Sequence, residues 1–194
     1  MASTLRYFCR RKMRVRTGLN VAIIAVSCFF LAGMTTVVPR PSVLARPADS
    51  CKAPEYRQFD FFLGDWDAFE TSDPTQAVAR NRVQLILDGC VLLEDYRSND
   101  GHEGESFSVY DATRKLWHQT WVTNDGKLLL IEGKLENGAM VLSGSDLTGD
   151  GRRRLVRGTW KQFPGGVREN AETSVDGGKS WQVWFDMEFR PHQH

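Results

Sequence analysis

Between Gly64 and Arg190 apolar and polar residues alternate with a period of two, in short runs that almost all end at a glycine turn. The runs are Trp66 to Thr71, Arg82 to Leu87, Cys90 to Arg97, Glu105 to Asp111, Leu116 to Thr123, Lys127 to Lys134, Ala139 to Ser145, Arg154 to Gln162, Val167 to Ser174 and Trp181 to Arg190. Arg82 to Leu87 shows the pattern well, with Val83, Leu85 and Leu87 set against Arg82 and Gln84. Turns such as Asp88-Gly89, Asn124-Asp125-Gly126 and Asn137-Gly138 are too short for a parallel crossover, so neighbouring strands run antiparallel. No helical period separates them. The pattern predicts an all-β fold, a single antiparallel up-and-down β-barrel of about ten strands. A two-sheet sandwich uses similar turns, so alternation by itself leaves closure open. Glu55 to Leu63 is the one helical segment expected, a short plug dense in Tyr56, Phe59, Phe61, Phe62 and Leu63.

The region before the strands has a different character. Arg6, Arg10, Arg11, Lys12, Arg14 and Arg16 precede an apolar run from Leu19 to about Val38, and Val43-Leu44-Ala45 offers small residues for a signal peptidase. Residues 1–45 are therefore expected to be a signal peptide cleaved near Ala45, residues 46–54 a linker, and residues 55–194 the barrel domain. An uncleaved membrane anchor is the competing reading, because the apolar run is long enough to span a bilayer. Cleavage would remove seven basic residues and no acidic ones, leaving 18 Lys and Arg against 24 Asp and Glu, a net charge of −6. An acidic exported domain is a poor partner for nucleic acid or for an anionic membrane surface.

Cys9 and Cys28 lie in the leader, so Cys51 and Cys90 remain in an oxidising compartment, where one disulfide is the simplest expectation. Neither has a second Cys or His at ligand spacing, so no metal site is expected.

Gly64-Asp65-Trp66 at the first strand, with Arg190 late in the last, resembles the calycin signature, in which a late arginine stacks on the tryptophan at the barrel entrance. Phe59 to Trp66, Trp117-His118-Gln119-Thr120-Trp121 and Ser174 to Trp181 together look like a family of exported bacterial lipocalin-like proteins of unknown function. That resemblance implies the barrel and brings no catalytic residues. No cofactor is expected. Haem would enter only through a more distant likeness in shape to nitrobindins, and His192 and His194 lie in a tail after Pro191, with no clear match to their axial histidine.

Ser174 to Trp181 is also similar to a sialidase Asp-box, and one copy reads as a hairpin staple. Asp146 to Gly151 begins like a calcium loop, but its twelfth position is Arg157, so a tight turn is expected. His118 is the one histidine that falls within a predicted strand, Leu116 to Thr123. It shares one face with Leu116, Thr120 and Val122, while Trp117, Gln119 and Trp121 share the other, and alternation leaves open which face points inward. Glu94, Arg157, Arg168, Glu169 and Glu172 are charges within β-forming runs. Arg157 with Glu94 or Glu169 is the candidate internal pair.

Three functions fit. The first is a module binding a small apolar or amphipathic molecule, lined by Trp117, Gln119, Trp121, Phe107, Arg157 and Phe185. The second is an enzyme of the isomerase, cyclase or hydrolase type, with His118, Glu94 and Glu169 as acid–base candidates. The third is a structural or interaction protein with a filled barrel. A closed barrel has no free edge, so a monomer is expected, or a dimer through an outer face.

Overall fold

Turn chemistry organises the chain as a meander. Asn137 and Gly138 alone link the paired residues Glu136 and Ala139, and both have positive φ, 51° and 78°, as a type I′ turn requires. The computed structural model describes residues 51–193. The expected leader and the first part of the linker lie outside the described residues.

The strands are β1 (Gly64–Glu70), β2 (Ala79–Ile86), β3 (Val91–Ser98), β4 (Glu103–Asp111), β5 (Leu116–Thr123), β6 (Leu128–Glu136), β7 (Ala139–Leu147), β8 (Arg153–Phe163), β9 (Gly166–Ser174) and β10 (Gln182–Pro191). Each pairs antiparallel with the next, and β1 closes on β10, so the fold is a barrel and not a sandwich. Among the described residues no helix is long and apolar enough to cross a membrane. The expected plug consists of two 3-10 turns, Pro54–Arg57 and Asp60–Phe62.

The plug seals one end of the barrel. Phe59 and Phe62 are fully buried, with ring centroids 5.7 Å (Phe59–Trp117), 5.5 Å (Phe59–Trp160) and 5.3 Å (Phe62–Phe189) apart. The Cys51–Cys90 disulfide ties the start of the plug to the β2–β3 connection, and Arg57 donates to the Gly89 carbonyl at the same place. The opposite end is ringed by the β1–β2, β3–β4, β5–β6, β7–β8 and β9–β10 connections.

Trp66 belongs to the plugged end. Its indole N–H donates to the Phe62 carbonyl at 3.0 Å, and a Cβ on Gly64 would fall 2.5 Å from the ring, so the glycine is what leaves room for it. Arg190 does not stack on this indole. It lies over Phe69, 4.4 Å from the ring centroid, and donates to Glu188 and to the Pro74 carbonyl. The reason is pleat phase: Pro191 pairs with Trp66 and shares its inward face, whereas Arg190 pairs with Asp67 and shares the outward one.

Two strands run against the simplest use of alternation. On β4 the inward face is Gly104, Ser106, Ser108 and Tyr110, while Phe107 points outward and is 43% exposed. On β6 Ile131 is buried inside, whereas Leu128 and Leu130 stand on the outer wall. Polar side chains on an inner face need either partners or a cavity. Here they have both.

Candidate functional site

The barrel encloses a cavity of about 980 Å³, open at the end opposite the plug, where Glu70 to Val78 and Ser98 to His102 form part of the rim. Trp121, Trp160, Ile131, Val156 and Phe189 supply apolar wall. Two further glycines face this interior beside the large rings: a Cβ on Gly104 would fall 2.2 Å from Trp121, and one on Gly158 2.7 Å from Trp160. Near the mouth a register shift between Val183 and Phe185 sets Phe185 opposite Ala171, and both line the cavity.

A polar row crosses this wall from β2 to β5. Glu94 is buried and accepts hydrogen bonds from Asn81 Nδ2 at 2.9 Å and Ser106 Oγ at 2.8 Å. Gln119 donates to Ser106 Oγ at 3.3 Å and to Ser108 Oγ at 3.1 Å, so Ser106 is fixed as a donor toward Glu94. The strand pairings Val83–Glu94, Glu94–Ser106 and Ser108–Gln119 bring these residues onto one interior face. Burial raises the pKa of Glu94, and the two hydrogen bonds oppose the rise without cancelling it.

Glu169, on β9, lines the same cavity. Its pKa stands well above the glutamate value of 4.5, first through burial and then through the charge of Glu94. The Trp160 indole N–H works in the opposite direction, although its contact falls short of hydrogen-bond geometry. Tyr96 responds to the same field. Burial is the largest cause of its elevation to about 12, followed by the charges of Glu169, Asp100, Glu94 and Glu70.

Of the residues singled out from sequence, Glu94, Gln119, Trp121, Glu169 and Phe185 meet at this cavity. Trp117 points inward but is covered by the plug, 1% exposed, with its indole N–H donating to Gln58 Oε1 at 3.2 Å. Phe107 and Arg157 lie on the outer wall instead of lining the lumen. Arg157 pairs with Glu172 at 2.8 Å and covers the Trp181 ring at 4.3 Å, so it does not meet Glu94 or Glu169 as an internal pair. In the Ser174 to Trp181 hairpin, Asp176 accepts from the Ser180 backbone and hydroxyl, from Ser174 Oγ and from the Lys179 backbone. These bonds lower its pKa and make it a staple of the rim. Asn81, Tyr96, Ser106, Ser108 and Trp160 were not singled out. The run of small and polar inward residues on β4 was the available signal for a strand facing a cavity.

His118 is on the outer wall. Its Nε2 lies 2.9 Å from Thr120 Oγ1 and its Nδ1 2.9 Å from Glu132 Oε1, while Arg114 holds Glu132 with two hydrogen bonds of 3.0 and 2.8 Å. A hydroxyl, an imidazole and a carboxylate in line resemble a nucleophile with its base. The surrounding backbone N–H groups of β5 and β6 belong to the sheet ladders and not to an oxyanion site. The cluster fits a cross-strand staple. The late histidine His192 lies 2.9 Å from Asp67, which faces outward. His194 lies outside the described residues.

No protein-family model and no curated protein matches the chain.

Proposed function

We propose that the protein is an exported binding module that holds one small apolar or amphipathic molecule in the barrel lumen, in the manner of calycins. The observation that carries the reading is the cavity of about 980 Å³, sealed by the plug at one end and open at the other, with aromatic and aliphatic walls and a short row of oriented polar groups. Sites for small molecules have this make-up and this size. The same cavity speaks against a barrel filled by its own side chains. The Cys51–Cys90 disulfide supports an oxidising compartment.

The test is titration of the full, oxidised chain with N-phenyl-1-naphthylamine, a neutral apolar fluorophore. One-to-one binding is expected, and Ala171→Trp, which fills the lumen, should abolish it. No binding, or binding unaffected by Ala171→Trp, overturns the reading.

The two interior carboxyls favour one second reading, an acid–base enzyme working in the same lumen. Glu94 is held by two donors and Glu169 is not, so the two have unlike environments, as an acid and a base require. Incubating a metabolite mixture with the native chain and with E169Q would separate the readings. A compound consumed by the native chain alone supports catalysis, and identical mixtures oppose it.

A further inference from the structure

The lumen carries an imbalance of charge. Among the described residues Glu70, Glu94, Asp100, Glu169 and Asp186 line the cavity and no Lys or Arg does; His102, at the rim, is the one basic side chain of that lining. Asp186 is engaged by Arg168 from outside, at 2.5 Å. Glu94 and Glu169 have no ion-pair partner among the described residues. A buried carboxylate with no counter-ion is costly, so burial holds both groups protonated to higher pH, and a cation placed against them would supply the missing counter-ion and favour their charged form.

Hydrogen-bond capacity is unbalanced in the same sense. A carboxylate has about four lone-pair sites. Glu94 uses two of them, for Asn81 and Ser106. Among the described residues Glu169 receives no side-chain hydrogen bond of good geometry, and its partial exposure is toward the cavity it lines. Beside Glu94, the Asn81 side chain is completely buried, and its Oδ1 has no hydrogen-bond partner among the described residues. Such a group needs a donor. The Trp160 N–H, near Glu169, is also unpartnered, on a cavity-lining side chain that is 2% exposed. Acceptors therefore exceed donors around the two carboxyls. An ammonium has three donors and no acceptor, whereas a carboxylate or phosphate head would add both charge repulsion and more acceptors.

The walls suit the same chemistry. Tyr96 and Trp121 sit edge to face, with centroids 6.2 Å apart, and Trp160 and Phe185 lie on other parts of the lining. Aromatic faces attract an organic cation and accommodate its apolar body, most strongly where water is excluded.

We propose that the lumen recognises a monocationic organic molecule, a protonated amine on an apolar or aromatic body, with its ammonium placed against Glu169 and Glu94 and its body among Tyr96, Trp121 and Trp160. This rests on the reading of the lumen as a binding site. It narrows the ligand from any amphipathic molecule to one with a cationic head.

The test compares probes that differ only in the head group. Octylamine, octanol and nonanoate, and in parallel phenethylamine, phenylethanol and phenylpropanoate, are titrated into the full, oxidised chain by calorimetry at neutral pH and moderate salt. The amine of at least one set is expected to bind at least tenfold more tightly than its alcohol, with no binding of the carboxylates. E169Q should weaken amine binding tenfold or more while leaving the alcohol within twofold. Alcohols or carboxylates binding as tightly as the amines would overturn the cationic specificity and leave the lumen as a general apolar site. Amine affinity unchanged in E169Q would likewise overturn it, by placing the amines elsewhere on an acidic surface. Failure of all six probes together with the naphthylamine would overturn the binding reading itself. The head-group comparison needs no variant, so it stands even if E169Q proves unstable.

Discussion

Glu169 on β9 is held protonated to higher pH first by its burial and then by the charge of Glu94 on β3, a residue 75 positions earlier that lines the same cavity. Antiparallel closure brings the two strands into one lumen, and the low dielectric there strengthens their repulsion.

This coupling sets a pH dependence. The folded pKa of Glu169 is raised above its unfolded value, so its contribution to stability is greatest below the ordinary glutamate range and is lost as pH rises through the folded pKa. Each unit of the rise corresponds to about 1.4 kcal/mol. E169Q does not titrate, so its stability relative to the native chain should grow as pH increases from about 5 to about 8. Urea unfolding at several pH values checks this; a difference that does not vary with pH would place Glu169 in ordinary solvent.

Tyr96 should ionise at about 12 in the folded chain. Ultraviolet difference spectroscopy through the alkaline range is expected to show one late phenolate that Y96F lacks. In E94Q or E169Q the same transition should move down, since both charges contribute to the elevation.

The Cys51–Cys90 bridge closes a loop with a sequence separation of 39 and anchors the plug. On the chain-entropy account its loss costs roughly 3 to 4 kcal/mol. Denaturant unfolding of the C51S/C90S double variant should show that drop, and hydrogen exchange should show the fastest opening in residues 54–62.

Gly64→Ala should be destabilising well beyond an ordinary surface change. Its Cβ would fall 2.5 Å from the Trp66 ring, and overpacking of this kind costs about 1 to 3 kcal/mol. Thermal unfolding measures the loss, and near-ultraviolet circular dichroism should report the displaced indole.

His118→Ala should leave the affinity of the naphthylamine probe within twofold, because the imidazole lies on the outer wall between Thr120 and Glu132. The expected stability loss is below about 1 kcal/mol, as for exposed polar pairs. A tenfold loss of probe binding would move the site outside the barrel.

Much of this architecture was legible along the chain. Alternation located the strands, the glycine turns made them antiparallel neighbours, and the paired cysteines implied the bridge that the structure contains. The edges of β1 and β2 were less clear. Gly64 and Ala79 have little side chain to mark a strand, yet both sit in the ladder.

Alternation says that residues two apart share a face, and it is silent about which face closes inward. Phe107 and Ser106 illustrate the difference. Apolar character would put Phe107 inside, but the barrel turns Ser106 in, where Glu94 and Gln119 satisfy its hydroxyl. Arg190 and Trp66 are another case, one residue out of phase across β1 and β10 and therefore on opposite sides of the wall. The sequence by itself determined that a sheet forms, how it is connected and how its N-terminal segment is tethered, because propensity, turn geometry and cysteine pairing act through short stretches or single bonds. Only the tertiary structure decided the direction of each face and the meeting of Glu94 with Glu169, because those follow from closure, which couples the register of all ten strands at once.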